Sequence, residues 1–284
     1  MSTINVSASS SASSLEDIPV IPQRISDDIS RYQNIRSGSF QNFNEDGTEM
    51  YISTRFGNVS QLHKVKKPYT ELGTLYLHPD FRGKGRGSLL SLARFKFMAL
   101  WPERFDHNVV SEIRGKVDKD DNSIFWKYFS KYFFDEEMFN NNEISYINNT
   151  FIAESIPKHP FLLGPLNRSA QRIIGIPNDN AVPAFKMMRS QNFKPNGLID
   201  IIDAGPCLEC NLNEIKTIKN NRSVKIKSFG LPEKQFSGLI SNTDLKGFRV
   251  VRSDFSFDGE KVSIHRNLIK SLKLGTNSKV AINV

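Results

Sequence analysis

The stretch that decides the fold is Glu71-Leu72-Gly73-Thr74-Leu75-Tyr76-Leu77-His78-Pro79-Asp80-Phe81-Arg82-Gly83-Lys84-Gly85-Arg86-Gly87-Ser88-Leu89-Leu90, continued to Trp101. Alternation over Leu72–Leu77 predicts a strand, and Pro79 ends it. From Leu89 onward Leu92, Ala93, Phe97 and Leu100 fall at helical spacing, predicting a helix with one apolar face on a sheet. Between the two, Arg82-x-x-Gly85-x-Gly87 opens the helix. Backbone N–H groups of such a loop and the unsatisfied donors of the first helical turn point into one concavity, where the helix dipole adds partial positive charge. A Cβ there would hold the backbone away from phosphate oxygens. Arg82, Gly83, Lys84, Gly85, Arg86, Gly87 and Ser88 are therefore the candidate residues of a pyrophosphate cradle, with Lys84 and Arg86 adding charge at its rim. Two other phosphate motifs do not fit. The Gly-x-x-x-x-Gly-Lys-Ser/Thr pattern is absent, and Gly83-x-Gly85-x-Gly87 lacks the period of a dinucleotide fingerprint.

Outward from this segment, Glu49–Phe56 reads as a strand and a polar connection leads from it to Glu71. Seven Ser among the first 14 residues leave too little apolar surface to offset ordering entropy. Residues 1–45 are thus expected to be a disordered tail, with a turn or short helix at Arg31–Phe43. Downstream, Asn108–Arg114 predicts a strand and Ser123–Phe134 an aromatic helix with Phe125, Phe129 and Tyr132 on one face. A strand pair is expected within Glu143–Ser155, around Tyr146 and Phe151. Ser169 is expected to cap a short helix through Gly175. Asn180 is expected to cap another from Ala181 to about Gln191, with Pro183 tolerated in its first turn. Gly197–Asp203 reads as a buried strand and Cys207–Leu212 as its continuation or neighbour. After the polar run Lys216–Arg222, alternating segments at Val224–Phe229, Gly247–Arg252, Lys261–His265 and Lys279–Val284 predict a small, mostly β extension. The expected organisation is a tail over 1–45, one α+β domain over 46–220 and a β extension over 221–284.

The chain has 284 residues, 38% of them hydrophobic, with 21 Phe, enough for a real core. It contains no run of about 18 apolar residues, so no membrane span is expected. Glu16 and Asp17 precede the first Arg and no apolar leader follows, which makes the cytoplasm the default compartment. Two Cys build no disulfide framework. Cys207-x-x-Cys210 falls in a predicted strand, where positions three apart face opposite sides, and no second pair completes a zinc site. No metal is expected. The net charge of +8 is spread along the chain, which suits a phosphorylated coenzyme better than nucleic acid.

Nine short segments carry a resemblance. They are Glu71–Leu77, Gly87–Ser91, Arg94–Ala99, Val109–Gly115, Phe125-Trp126, Phe151–Glu154, Pro157–Pro160, Ile199–Ile201 with Asp203-x-Gly205-Pro206, and Leu208–Cys210. Together they resemble the arginine N-succinyltransferase family, and the loop resembles the wider GNAT superfamily of N-acyltransferases. The resemblance runs from about Glu71 to Ile218 and more weakly beyond. It implies a GNAT-like acyl-CoA N-acyltransferase fold, α+β, with a small C-terminal extension. It also implies succinyl-CoA as co-substrate and transfer of succinyl to the α-amine of arginine, in arginine catabolism. Acyl-CoA and arginine are then the partners, with neither nucleic acid nor membrane.

The resemblance sets Leu75 beside the thioester carbonyl, where a backbone N–H polarises it. It sets Asn178 at the position of the family's proton-donor His. An amide can hydrogen-bond but cannot act as an acid, and general acid catalysis contributes about 10²–10⁴-fold. His159, in Pro157-Lys158-His159-Pro160, is either a catalytic or substrate-contacting residue or the surface residue of a rigid turn. Asp179 and His78 carry the same two readings. Glu112 and Arg114 either hold the guanidinium and carboxylate of arginine or pair internally. The family carries a longer segment ahead of the strand matching Glu71 than the 70 residues here, so part of the substrate cleft is expected to be either missing or supplied by a partner subunit of a homo- or hetero-oligomer. Two alternatives remain: a catalytically degenerate acyl-CoA-binding subunit or regulator, and a GNAT enzyme with another acyl donor or amine.

Overall fold

The structure, a computed structural model, describes residues 5–7, 21–23, 48–55, 59–66, 69–73, 75, 77–133, 161–163, 165–230, 236–275 and 278–283. In chain order its elements are β1 (Asn5–Ser7), β2 (Ile21–Gln23), β3 (Thr48–Arg55), β4 (Val59–Lys66), β5 (Thr70–Glu71), α1 (Arg86–Leu100), β6 (Asn108–Glu112), α2 (Ile124–Phe129), β7 (Phe161–Leu162) and α3 (Arg168–Ile173). Then come α4 (Val182–Ser190), β8 (Lys194–Asp200), β9 (Pro206–Asn211), α5 (Lys216–Lys219), β10 (Asn221–Phe229), β11 (Phe236–Asn242), β12 (Val250–Phe257), β13 (Lys261–Ile264), α6 (Leu268–Ser271) and β14 (Lys279–Asn283). The chain is α+β. It divides into two compact units: Met1–Asp27 with Thr70–Val109 and Asn211–Val284, and Asp28–Tyr69 with Val110–Cys210.

In the first unit α1 begins where the glycine run predicts it. Its apolar surface is wider than one stripe, because Leu90, Ala93, Phe95, Phe97 and Met98 are all buried. Arg94 and Lys96 are buried with them. The expected strand over Leu72–Leu77 is not what forms among the described residues: β5 covers Thr70–Glu71 and Leu75 makes a lone bridge. Gly73 sits between them, and a glycine brings no side chain to pack and weakens a strand from inside.

The C-terminal segments of this unit form a closed barrel in the order β10-β13-β12-β11-β14. Val224, Ile240, Phe255, Val262, Ile264, Val280 and Ile282 fill it, joined by Leu268 and Leu272. Closure removes the free edges that an open sheet of this size would expose. The pattern reading found four of the five strands and missed β11, where Gly238, Ser241 and Asn242 interrupt the apolar alternation. In the stretch expected to be a tail, β1 pairs antiparallel with β2.

In the second unit the strand order is β6-β9-β8-β3-β4-β7. Strands β3 and β4 form an antiparallel hairpin in unbroken register from Thr48↔Lys66 to Arg55↔Val59. A polar connection was expected in place of β4. Its apolar residues Val59, Leu62 and Val65 recur every third position, a spacing that hides the two-residue period of a strand. β8 ends at Asp200 rather than Asp203, and residues 201–203 turn back so that β9 pairs antiparallel with β8.

Helix α2 packs Phe125, Trp126 and Phe129 against Ile199, Ile201 and Ile202, and Phe125 stacks on Phe129 with centroids 4.9 Å apart. Ser123 caps it by accepting from Trp126 N at 2.9 Å. Tyr132 leaves the shared face. The chain tightens to a 3-10 turn over Ser130–Tyr132, whose three-residue period rotates Tyr132 outward, and its hydroxyl donates to the Pro165 carbonyl. The strand pair expected within Glu143–Ser155 and the turn or helix at Arg31–Phe43 lie outside the described residues.

Lys96 is fully buried and donates to Asn221 Oδ1. Burial pushes its pKa down to about 7 from 10.5. In that window the unfolded chain holds a proton that the folded chain lacks, so folding stability rises with pH between 7 and 10.5 by about 1.4 kcal/mol per unit. A Lys96→Met variant is expected to lack this slope and to exceed the wild type in stability near pH 6. Urea midpoints measured from pH 6 to 10 check this, and identical slopes for the two proteins would refute it.

Candidate functional site

The loop of the first unit is built on its backbone. Pro79–Phe81 forms a 3-10 turn, and His78 caps it by accepting from Asp80 N at 3.4 Å. Gly83, Lys84 and Gly85 then take φ values of +96°, +49° and +75° in succession. Glycine enters that left-handed region freely, whereas Lys84 occupies it at a cost of about 1 kcal/mol. Arg86 N donates to the Gly83 carbonyl and Leu89 N to the Gly85 carbonyl. Gly87 and Ser88 fall in the first turn, where N–H groups have no intrahelical carbonyl to reach.

Two of the loop's cations serve the loop itself. Arg82 Nε donates to the Leu77 carbonyl at 3.2 Å and Arg86 Nη1 to the Phe81 carbonyl at 3.2 Å. Lys84 is exposed and has no partner among the described residues. Leu75, upstream, is also exposed. The structure thus gathers Arg82 to Ser88 at one helix N-terminus.

In the second unit the sequence candidates meet around the end of β6. Asn178 N donates to the Arg114 carbonyl at 2.8 Å, and Gly115 bridges Pro177. Asn178 is buried, and its Oδ1 accepts from Asn180 N at 2.9 Å, capping the turn that leads into α4. Asn178, not Asn180, is therefore the cap. Likewise Asn167, not Ser169, caps α3, accepting from Ser169 N at 2.8 Å. Both corrections have one cause: each Asn folds its oxygen onto the N–H two residues on, a local bond that fixes the entry of the chain.

Arg114 Nη2 pairs with Asp121 Oδ2 at 2.8 Å, while its Nε is buried without a hydrogen-bond partner. Asp179 pairs with Lys116 at 2.6 Å. For Arg114 the internal pairing is the one observed. Glu112 is half-buried at the end of β6. His159 lies outside the described residues.

Pattern reading gave no role to Asp200 and Asp203, which it met only inside a motif. Asp200 Oδ1 accepts from the N–H groups of Ile202 and Asp203, both at 2.8 Å. Asp203 Oδ1 accepts from Gly205 N at 2.8 Å. Burial first, then the charge of Asp203, pushes the Asp200 carboxyl up to about 8. Burial also raises Asp203, against the opposing pull of the Gly115 and Gly205 N–H groups and of Arg114. Main chain meets main chain beside them: a Cβ on Gly115 would run into the Asp203 carbonyl, and one on Gly205 into the Ile113 carbonyl. The signal was present as Asp-x-x-Asp-x-Gly-Pro at the end of a strand.

Cys207 and Cys210 are both buried and form no disulfide. Among the described residues no three or more His, Cys, Asp or Glu gather as a metal would require. No helix among them is long and apolar enough to cross a membrane.

Asp200 holds a proton in the folded chain that the unfolded chain releases above its ordinary 3.8. Its contribution to stability is complete at low pH and is lost as pH rises toward 8. Asp200→Asn keeps an acceptor oxygen without the charge. It is expected to gain on the wild type as pH moves from 5 to 8.5, read as the difference in thermal midpoints. A difference that does not change with pH would show that Asp200 does not titrate in that range.

The family model described as the arginine N-succinyltransferase beta subunit matches residues 41–217. Arginine N-succinyltransferases of Shigella sonnei and Escherichia coli are 33% identical over 218 residues, 75% of this chain. The chain spans 62% of the length of these curated relatives. A solved structure described as arginine/ornithine succinyltransferase subunit AI from Pseudomonas aeruginosa superposes with a TM-score of 0.66. It is 26% identical, covering 83% of this chain and 70% of that one.

Proposed function

The chain belongs to the arginine N-succinyltransferase family, and we propose that it transfers succinyl from succinyl-CoA to the α-amine of arginine, in arginine catabolism. The observation that carries this reading is the run of three left-handed residues, Gly83 to Gly85, opening α1. A diphosphate fits such a loop through its backbone donors. The proposed fold is GNAT-like over 46–220, preceded by a tail over 1–45 and followed by the β extension over 221–284. The proposed compartment is the cytoplasm, with no metal in the reaction.

In this reading Arg82 to Ser88 hold the coenzyme and the Leu75 N–H polarises the thioester carbonyl. The neutral α-amine of arginine attacks that carbon and the coenzyme leaves as a thiolate. The amine loses a proton to a base or water, and the thiolate gains one. Glu112 is the proposed partner of the substrate guanidinium. Arg114, already bound to Asp121, would have to exchange partners to hold the substrate carboxylate. His159 is the proposed alternative acid.

A second reading has its own support. Asn178 spends its oxygen on a cap and has no proton to give as an acid, which favours a coenzyme-binding subunit with little turnover, acting within an oligomer. The Pseudomonas aeruginosa neighbour is likewise a subunit by name.

Thiol release measured with succinyl-CoA or acetyl-CoA, and arginine or ornithine, separates the readings. Release above background only with succinyl-CoA and arginine supports the first. Coenzyme A binding without release under any pairing supports the second. If Asn178 stands where an acid once acted, Asn178→His is expected to raise turnover by about tenfold or more. An unchanged rate would remove that position from the mechanism.

A further inference from the structure

Within the first unit the barrel reaches the glycine loop. A Cβ built on Gly85 would lie 3.5 Å from Nη1 of Arg252, and α1 packs on β12, the strand that carries Arg252. Arg252 stands opposite Leu239 in the ladder with β11, and β12 is paired on its other side with β13. Its backbone is therefore held by β11, in a strand that β13 pairs three residues further on, from Phe255, while its side chain is exposed. No hydrogen bond or ion pair engages its guanidinium among the described residues. Asp254, two positions on and on the same face of the strand, is not within ion-pair reach.

This contrasts with the loop's own arginines. Arg82 and Arg86 are tied to the carbonyls of Leu77 and Phe81. The backbone donors of the loop carry only partial charge, so a diphosphate seated there would find its uncommitted full charges in Lys84 and Arg252, beside the partly engaged guanidinium groups of Arg82 and Arg86. A guanidinium also offers two parallel N–H groups, a geometry that fits phosphate oxygens better than an ammonium does.

We propose that Arg252 is a phosphate-binding residue. Its guanidinium, carried on β12, takes the diphosphate of the acyl-CoA that Gly83 to Ser88 cradle, so the C-terminal barrel is part of the coenzyme site. The inference rests on the coenzyme reading given above.

Calorimetric titration of the full chain with coenzyme A and with 3′-dephospho-coenzyme A tests it. Arg252→Ala is expected to weaken both ligands by roughly tenfold or more, the usual scale for losing a charge-assisted hydrogen bond. Arg252→Lys should lose less. Lys261→Ala, which removes a charge elsewhere on the barrel, should bind as the wild type does. Unchanged affinity in Arg252→Ala would overturn the assignment, as would an equal loss in Lys261→Ala. A penalty seen with coenzyme A alone would move Arg252 to the 3′-phosphate and overturn the diphosphate contact. Absence of binding by the wild type would remove the coenzyme reading itself and this inference with it. That outcome is distinguishable from the others because it does not depend on residue 252.

Discussion

Helix α1 presents its N-terminus at Gly85, and everything proposed for the loop depends on that end being held still. What holds it is burial on nearly every side. Phe95 and Met98 are fully enclosed, and Phe97 meets Phe248 edge to face with centroids 5.3 Å apart. The same enclosure takes in Arg94, whose Nη2 finds Ser91 Oγ at 2.8 Å, and Lys96 against Asn221. Burying those two groups is unfavourable, and it drags the pKa of Arg94 down to about 10. Arg94 is satisfied within the helix, by the carbonyl and hydroxyl of Ser91. Lys96 reaches outside it to Asn221, and that one buried polar contact restricts how the helix can rotate.

The second unit is organised by an approach of main chain to main chain. Ile113 to Gly115 lie against Asp203 to Gly205 so closely that neither glycine has room for a side chain. Gly175 N donates to the Ala204 carbonyl at 2.8 Å and Ile113 N to the Pro206 carbonyl at 3.1 Å. The Asp200–Asp203 carboxyls sit in this knot, where backbone N–H groups reach them; Asp203 is buried and Asp200 half-buried. The segment bearing Asn178 is stitched to the same strand end through the Arg114 carbonyl. Residues far apart in the chain are thus brought together by backbone bonds rather than by side-chain chemistry.

That difference explains what could be read in advance. The loop and α1 were legible because glycine, proline and a run of apolar residues act locally. The caps at Asn167 and Asn178 were displaced by two residues, since Ser169 and Asn180 offer side chains of the same chemistry and only the geometry of the turn selects between them. β4 and β11 were hidden because their partners supply the pattern: a strand whose neighbours provide the ladder does not need strict alternation of its own. The Asp pair, the Arg114–Asp121 contact and the position of Arg252 depend on tertiary approach and leave no periodic trace. The family resemblance gave Asn178 a catalytic position without revealing its work as a cap.

The closed barrel adds a constraint of register. On β12, Arg252 alternates with Val251 and Ser253 across the strand, and the strand's two ladders are fixed by Leu239↔Arg252 on one side and Phe255↔Ile264 on the other. A slip of one residue would turn the guanidinium into an interior lined by Phe255 and Val262 and bring a neighbour round to face Gly85. In an open sheet an edge strand could shift by breaking one ladder. Here both must break at once, so the barrel works as a vernier that sets one side chain against one loop. Single-residue insertions or deletions in β12 are accordingly a different class of lesion from substitutions on its surface.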